Sequence, residues 1–368
     1  MDEKVSPGDF LTNAGAMSLA IAEARRGAAH VSPNPPVGCV ILDAGGRFLA
    51  AGHHEKHGTA HAEVNAVRGL PMEALRGAQV FVTLEPCAHE GKTPSCARML
   101  AKLPVARVVY GLRDPNPLVS GQGAGILREA GIPCDLYSSL EGDHLRNELE
   151  DVAEIFLWNF RQGKIFVALK TASSLDGRIA LADGRSKWIT GPESRRRVHE
   201  LRADHDAVLV GSGTVIADDP ALDVRHPLIR KKNKVVVLDG SGRLASRHEE
   251  FQLGRLRAAE EVVWIHEKLP LPELLDHLWS LGLRSVLIEG GGRVGGAFLR
   301  ESLVNRLHLF QAPVLLGSTG LSWSEGLAVG DMAQRPSLQQ VQRRTFGRDS
   351  YLTGLLRNPW NGAAFRDM

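Results

Sequence analysis

The triplet His61-Ala62-Glu63, followed by Pro86-Cys87 and then Cys96, constrains the fold of this chain more than any other feature. Three potential metal ligands and one carboxylate come from three separate segments, so the fold must gather them at one point. One imidazole and two thiolates leave the fourth position of a tetrahedral Zn2+ open to water, with Glu63 spare to move protons. That combination belongs to hydrolytic deamination. The local pattern agrees: Val80 to Leu84 reads as a strand running into Glu85-Pro86-Cys87, and Cys96 opens a segment with Met99, Leu100 and Leu103 at helical spacing. A cysteine at a helix start has its thiolate favoured by unpaired N–H groups and the dipole. His61 likewise stands where Gly58-Thr59-Ala60 gives way to the helical run Ala62 to Val67.

Taken singly, a cysteine in apolar surroundings is ordinarily a small core residue; the combination carries the reading. A structural zinc would want a fourth Cys or His close by, and the remaining Cys39 and Cys134 form no CxxC pair. Four cysteines, two of them assigned to metal, suit a reducing compartment and no disulfide scaffold. No run of 18 apolar residues occurs, and Met1 to Ser6 is too polar for a signal peptide, so the expectation is a soluble cytoplasmic protein without membrane contact.

With 368 residues, 43% hydrophobic and 23% charged, the chain can build two ordinary cores. Ala14 to Gly27 is helical in period, Ser32 to Pro36 is a rigid loop, and strands and helices then alternate as an α/β sandwich. The amphipathic stretch Leu145 to Phe160 reads as the hinge, giving domains 1–150 and 151–368. Beyond it the alternation restarts at Ile165 and ends with strand-like Leu307 to Leu315 and Tyr351 to Leu356, as expected of a second α/β domain with a largely parallel sheet. The net charge of +2 implies no nucleic acid. Residues 1–148 hold 14 Lys and Arg against 16 Asp and Glu, and the rest 30 against 26, so the second half is mildly basic.

The chain resembles the bifunctional deaminase/reductase family of riboflavin biosynthesis over nearly its whole length. In the first half the carriers are Pro33-Asn34-Pro35-Pro36-Val37-Gly38, Gly52-His53-His54, His61-Ala62-Glu63, Thr83 to Cys96 with its Gly91-Lys92-Thr93 loop, and Asp114-Pro115-Asn116-Pro117. In the second they are Leu169 to Arg178, Trp188-Ile189-Thr190, Thr214 to Leu222 and Glu289 to Gly292. The resemblance implies a cytidine-deaminase-like three-layer α/β/α domain followed by a dihydrofolate-reductase-like α/β domain. It also implies two reactions on small phosphoribosylaminopyrimidines. The 2-amino group of 2,5-diamino-6-(5-phosphoribosylamino)pyrimidin-4-one is hydrolysed, and NADPH then reduces the ribosyl group of the product to ribityl. Association of copies through the reductase half, as a dimer or tetramer, is implied as well.

On this resemblance His61, Cys87 and Cys96 hold Zn2+, Glu63 shuttles protons, Asn34 and His54 hold the pyrimidine, and Lys92 and Thr93 reach the phosphate. In relatives a histidine often precedes the Pro-Asn-Pro, where this chain has Ser32. Lys170, Asp218 and Glu289 fall at positions for sugar contact and proton movement, and Ser186, Arg202, Leu222 and Arg225 at further substrate positions. Arg202 and Arg225 suit a phosphate through their paired donors. Ala172, Trp188, Thr190, Thr214, Gly290, Gly291 and Gly292 fall at cofactor positions.

Gly290-Gly291-Gly292-Arg293-Val294-Gly295 also fits the GxGxxG pattern of dinucleotide loops, for which an NAD enzyme would want an acidic residue about 20 positions on. That region reads Leu309-Phe310-Gln311-Ala312, which counts against NAD and leaves NADPH. Two rivals remain: a tRNA-base deaminase, which would need a basic aromatic groove that residues 1–148 do not offer, and a non-catalytic zinc scaffold, for which Glu63 would be superfluous.

Overall fold

The computed structural model describes residues 5–89, 94–116, 120–227, 229 and 231–357. The chain separates into two compact units, Met1–Arg161 and Gln162–Met368. In chain order the first unit holds α1 (Asn13–Gly27), β1 (Gly38–Leu42), β2 (Phe48–His53), α2 (Ala62–Val67), β3 (Gln79–Leu84) and α3 (Cys96–Leu100). Then come β4 (Arg107–Leu112), α4 (Gln122–Glu129), β5 (Cys134–Leu136), α5 (Tyr137–Glu141) and α6 (Arg146–Gln162).

The five strands form one sheet in the order β2-β1-β3-β4-β5, antiparallel at β2/β1/β3 and parallel at β3/β4/β5. Successive residues of a strand face opposite ways, and each face has its own core. Cys39, Ile41, Val80, Val82 and Val108 pack with Ala62 and Ala66 of α2, Leu100 of α3 and Leu127 of α4. Val40, Leu42, Phe81 and Val109 pack with Met17 and Ile21 of α1 and with Leu145 and Leu149. The result is a three-layer α/β/α sandwich. Gly52 lets α2 lie directly on β2, because a Cβ there would sit 2.5 Å from the Ala66 amide nitrogen.

Helix α6 runs without a break through position 150/151, where the sequence reading placed the domain boundary. Leu145 and Leu149 anchor its start in the first core, and the unit extends to Arg161.

The second unit contains β6 (Phe166–Ser173), β7 (Arg178–Ala180), α7 (Pro192–Asp204), β8 (Ala207–Gly211), α8 (Ser212–Asp218), β9 (Lys234–Leu238), α9 (Gln252–Leu256) and β10 (Val262–Ile265). It continues through α10 (Leu271–Ser280), β11 (Ser285–Ile288), α11 (Gly292–Arg300), β12 (Arg306–Gln311), β13 (Leu321–Ser322), β14 (Gln339–Phe346) and β15 (Asp349–Leu355). Its main sheet has the order β10-β9-β8-β11-β6-β12-β15-β14. The first six strands are parallel, and the β14/β15 hairpin is added antiparallel at one edge. Strand β12 stops at Gln311, short of the expected Leu315, as Pro313 has no N–H for a ladder.

Strands β8 and β11 are neighbours, yet the chain leaves β8 through α8 towards β9 and leaves β11 through α11 towards β12, on the far side of β6. Connections that diverge in this way open a crevice at the carboxyl ends of the strands, where open α/β sheets bind ligands.

Candidate active sites

His61 is the residue immediately before α2, with extended backbone, and its carbonyl accepts the Asn65 N–H at 3.0 Å. Cys87 follows β3, and its carbonyl receives the Ser95 hydroxyl at 2.8 Å and the Ala97 N–H at 3.1 Å. Ser95 also caps α3 by accepting the Arg98 N–H, so the Cys87 loop is laid across the start of the helix that Cys96 opens. His61 Nδ1 lies 3.6 Å from Cys87 Sγ and 3.3 Å from Cys96 Sγ, and the three ligand atoms fall within 4.8 Å of one another. A tetrahedral zinc at about 2.0 Å from nitrogen and about 2.3 Å from sulfur needs N···S separations of about 3.5 Å. The donor set therefore fits the ion in chemistry and in spacing.

Glu63, the second residue of α2, is buried. Burial, reinforced by the charge of Cys87, raises its carboxyl above the ordinary value of 4.5. The Cys96 thiol, helped by His61, stabilises the Cys87 thiolate and lowers Cys87 to about 4, while Cys96 itself is raised by that same bond and by burial. His54 is buried, its Nδ1 donates to the Ala60 carbonyl at 3.1 Å, and its Nε2 faces the Asn34 amide at 3.5 Å. Its ring meets that of His61 edge to face at 5.2 Å. Burial lowers the pKa of His54, which keeps the imidazole neutral. Asn34, His54, Glu63 and the three ligands thus form one cluster, whereas Lys92 and Thr93 lie outside the described residues.

At the carboxyl ends of the parallel strands of the second unit, Lys170 of β6, Glu289 after β11 and Arg202 of α7 meet. Arg202 grips the Glu289 carboxylate with Nε at 2.5 Å and Nη2 at 3.0 Å, and Lys170 Nζ stands 3.4 Å from it. Burial opposes this charge, but Arg202 first and Lys170 second hold Glu289 down at about 2. The third donor group of Arg202, Nη1, goes to the Asp223 carbonyl at 3.0 Å, so its fork is engaged within the protein. Arg225 is exposed and pairs with Asp223 at 3.1 Å. Leu222 is buried in left-handed backbone at φ 49°, its carbonyl bound by Arg257.

Asp218 ends α8, and the Lys187 ammonium lies 3.1 Å from its carbonyl and 3.9 Å from its carboxylate. Ser186 precedes that lysine and is partly exposed. Trp188 is 71% exposed with the Arg195 guanidinium over its ring at 4.7 Å, and Arg195 also donates to the Thr190 carbonyl at 2.6 Å. Thr214 lies in α8, and Ala172 sits on β6 opposite Phe310. Around Gly291 a Cβ would meet nothing within 4 Å, so space is open there. Gly292 and Gly296 serve packing: a Cβ on either would fall 1.9 Å from the carbonyl of Ser322 or Glu325.

Two buried carboxylates escaped the sequence reading as functional groups. Glu85 accepts the Gly121 N–H at 3.0 Å and the Ala124 N–H at 3.2 Å, tying the strand that leads to Cys87 to the start of α4. Asp349 of β15 accepts the Gly191 N–H at 2.7 Å and the Ser194 hydroxyl at 2.6 Å, and so caps α7 next to Trp188 and Thr190. Their partners lie 36 to 158 residues away in sequence, and no local pattern announces such contacts.

Fold and site together define a two-unit enzyme, a zinc-binding deaminase half followed by an α/β reductase half. Residues 12–112 match the family described as the cytidine and deoxycytidylate deaminase zinc-binding region, and residues 165–352 match the RibD C-terminal domain. The chain belongs to the RibD family of riboflavin biosynthesis proteins, and it is a bifunctional deaminase and reductase. The RibD of Bacillus amyloliquefaciens is 36% identical over 94% of this chain and 97% of its own length. The structure of Acinetobacter baumannii RibD is 37% identical, with TM-score 0.77 over 92% of this chain and 97% of that one. A Thermotoga maritima structure is 34% identical with TM-score 0.80 over the same shares; it is described as a diaminohydroxyphosphoribosylaminopyrimidine deaminase/5-amino-6-(5-phosphoribosylamino)uracil reductase.

Proposed function

We propose that the first unit deaminates 2,5-diamino-6-(5-phosphoribosylamino)pyrimidin-4-one and that the second reduces the ribosyl group of the resulting uracil with NADPH. The observation that carries the first half is the convergence of His61 Nδ1 and the two cysteine sulfurs beside a buried carboxylate that is not itself needed as a ligand. Zinc, when bound by these three residues, supplies the Lewis acidity that readies water for attack at neutral pH. Two thiolates temper that acidity, which makes a nearby base the more necessary. Glu63 carries two protons in turn: one from the attacking water to the ring nitrogen, and a second from the hydroxyl so formed to the amino group, which leaves as ammonia as the carbonyl forms. Its raised pKa suits a group that must both accept and give. Neutral His54 and Asn34 hold the pyrimidine edge, and Lys92 and Thr93 take the phosphate.

In the second unit NADPH, when bound, supplies the hydride. Opening the sugar requires hydride at C1′ and a proton at the ring oxygen. Glu289, held near 2 by Arg202 and Lys170, carries no proton at neutral pH and acts by orienting Lys170, which is left as the donor. Asp218 contacts the sugar hydroxyls, and Ser186, Leu222 and Arg225 line the phosphoribosyl end. The open space at Gly291, between the β8 and β11 loops, receives the dinucleotide, whose neighbours are Ala172, Trp188, Thr190, Thr214, Gly290 and Gly292. The direct test of the metal assignment is Cys87→Ser, which is expected to lose bound zinc and ammonia release together. Full zinc content in that variant, by elemental analysis, overturns it.

A further inference from the structure

The loop from Glu55 to Thr59 is exposed along its whole length, yet it separates the two histidines of the first site, His54 and His61. The backbone of His54 is fixed from several sides. Its N–H donates to the Val37 carbonyl at 2.9 Å, and a Cβ on Gly27 of α1 would fall 2.1 Å from its own carbonyl oxygen. The neighbouring His53 ring bonds Glu23 of α1 at 2.8 Å. The ring of His54 is aimed differently, by the Ala60 carbonyl that accepts its Nδ1–H at 3.1 Å. That carbonyl stands at the far end of the exposed loop, so the ring is only as well oriented as Ala60 is.

Asn65 of α2 holds Ala60 in place. Its Nδ2 lies 2.8 Å from the His53 carbonyl and 3.3 Å from the Ala60 carbonyl. Both partners are acceptors with no hydrogen to give, so the NH2 end of the amide must face them, one N–H to each. A single side chain thus bridges the residue before His54 and the residue before His61. The Asn65 backbone N–H closes the same turn on the His61 carbonyl at 3.0 Å. Of the two lone pairs on the Ala60 oxygen, one takes Asn65 and the other His54. Facing a carbonyl, His54 Nδ1 carries the proton, and a neutral imidazole then leaves Nε2 bare, an acceptor turned towards the Asn34 amide at 3.5 Å.

We propose that Asn65 is a positioning residue of the deaminase site: by holding the Ala60 carbonyl it fixes the orientation and the tautomer of His54, so that Nε2 is presented to the pyrimidine as an acceptor. The inference rests on the reading that His54 holds the pyrimidine, and it names the residue outside the cluster on which that contact depends.

The test uses the zinc-loaded full chain. Asn65→Leu and Asn65→Asp keep the size of the side chain and lack its NH2 group, so either serves if the other folds poorly. In protein labelled with 15N at histidine, the parent's His54, assigned by its absence from His54→Ala, is expected as the pure Nδ1–H tautomer. In Asn65→Leu its two ring nitrogens should move towards each other, as for a mixture of tautomers. Ammonia release should fall by about 10- to 100-fold in kcat/KM, the range for removing a partner that orients a histidine. Zinc content, and reduction of the deaminated substrate by the second unit, should match the parent. Because Asn65 acts through His54, the double variant with His54→Ala should be no slower than His54→Ala alone. Losses that multiply in the double variant, an unchanged tautomer, or zinc lost together with activity would overturn the assignment. If the parent itself releases no ammonia, the deaminase reading fails, while the tautomer, read without substrate, still decides the role of Asn65.

Discussion

The Glu289→Gln substitution probes the second unit most sharply, because it removes one charge from between two. The Glu289 side chain is 6% exposed, with Arg202 bound in bidentate fashion and Lys170 at 3.4 Å. Burial alone would raise its pKa; Arg202 and then Lys170 reverse that and hold it at about 2, against an ordinary 4.5. At 1.36 kcal/mol per pKa unit the difference corresponds to about 3 kcal/mol of folded-state stability, within the range for breaking a buried pair. For a unit of this size that is a fall of about 10 °C in melting temperature. The pH dependence has a fixed sign. The folded pKa lies below the unfolded one, so the stabilisation is complete above about pH 5 and is lost as the pH falls through 4.5 towards 2. The gap between parent and Glu289→Gln should therefore be widest at pH 7 and shrink by about half by pH 3. Urea unfolding at a series of pH values, followed by a probe confined to the second unit, measures it. A gap that stays constant from pH 7 to pH 3, or is absent throughout, refutes the reasoning.

Glu63→Gln is expected to keep its zinc and lose ammonia release by at least about 10²-fold, the usual scale of general acid-base catalysis; elemental analysis and an ammonia assay on one preparation decide it, and release at the parent rate would remove Glu63 from the mechanism. Asp349→Ala should destabilise the second unit by about 1–2 kcal/mol, since α7 loses a cap formed from another element. It should also raise the KM for NADPH, because Gly191 anchors the Trp188 to Thr190 loop; an unchanged melting curve and KM would show that the cap is idle. A fragment of residues 162–368 should fold and oxidise NADPH when given the deaminated substrate, and failure of the soluble fragment to do so would show that the second site needs the first unit.

The His61, Cys87 and Cys96 cluster was legible because each residue sits in a local pattern: a loop giving way to helix at His61, a strand running into Cys87, a helix opening at Cys96. Period-two strands and period-3.6 helices likewise announced the two α/β units. What was hidden depends on contacts between distant segments. The bond between Arg202 and Glu289 spans 87 positions, so Arg202 read as a free phosphate ligand while its fork is occupied by Glu289 and Asp223. The run from Gly290 to Gly295 read as a cofactor loop, yet Gly292 and Gly296 are small because the backbone at Ser322 and Glu325 presses against α11. Strand β14, with Gln339, Gln340, Gln342, Arg343 and Arg344, is an edge strand that buries little, and its polar sequence carries no hydrophobic alternation to betray it. Helix α6 looked like a hinge because its apolar stripe is long; that stripe begins by filling the first core.

The most direct measurement of the central claim is the mass of the products formed from 2,5-diamino-6-(5-phosphoribosylamino)pyrimidin-4-one with and without NADPH. Without the cofactor the expected change is about one mass unit, an amino group exchanged for a carbonyl, with ammonia released in equal amount. With NADPH a further gain of about two units is expected, matching one hydride and one proton, and one NADPH consumed per product. Unchanged substrate in both incubations, or reduction without prior loss of ammonia, would contradict the assignment of the two sites.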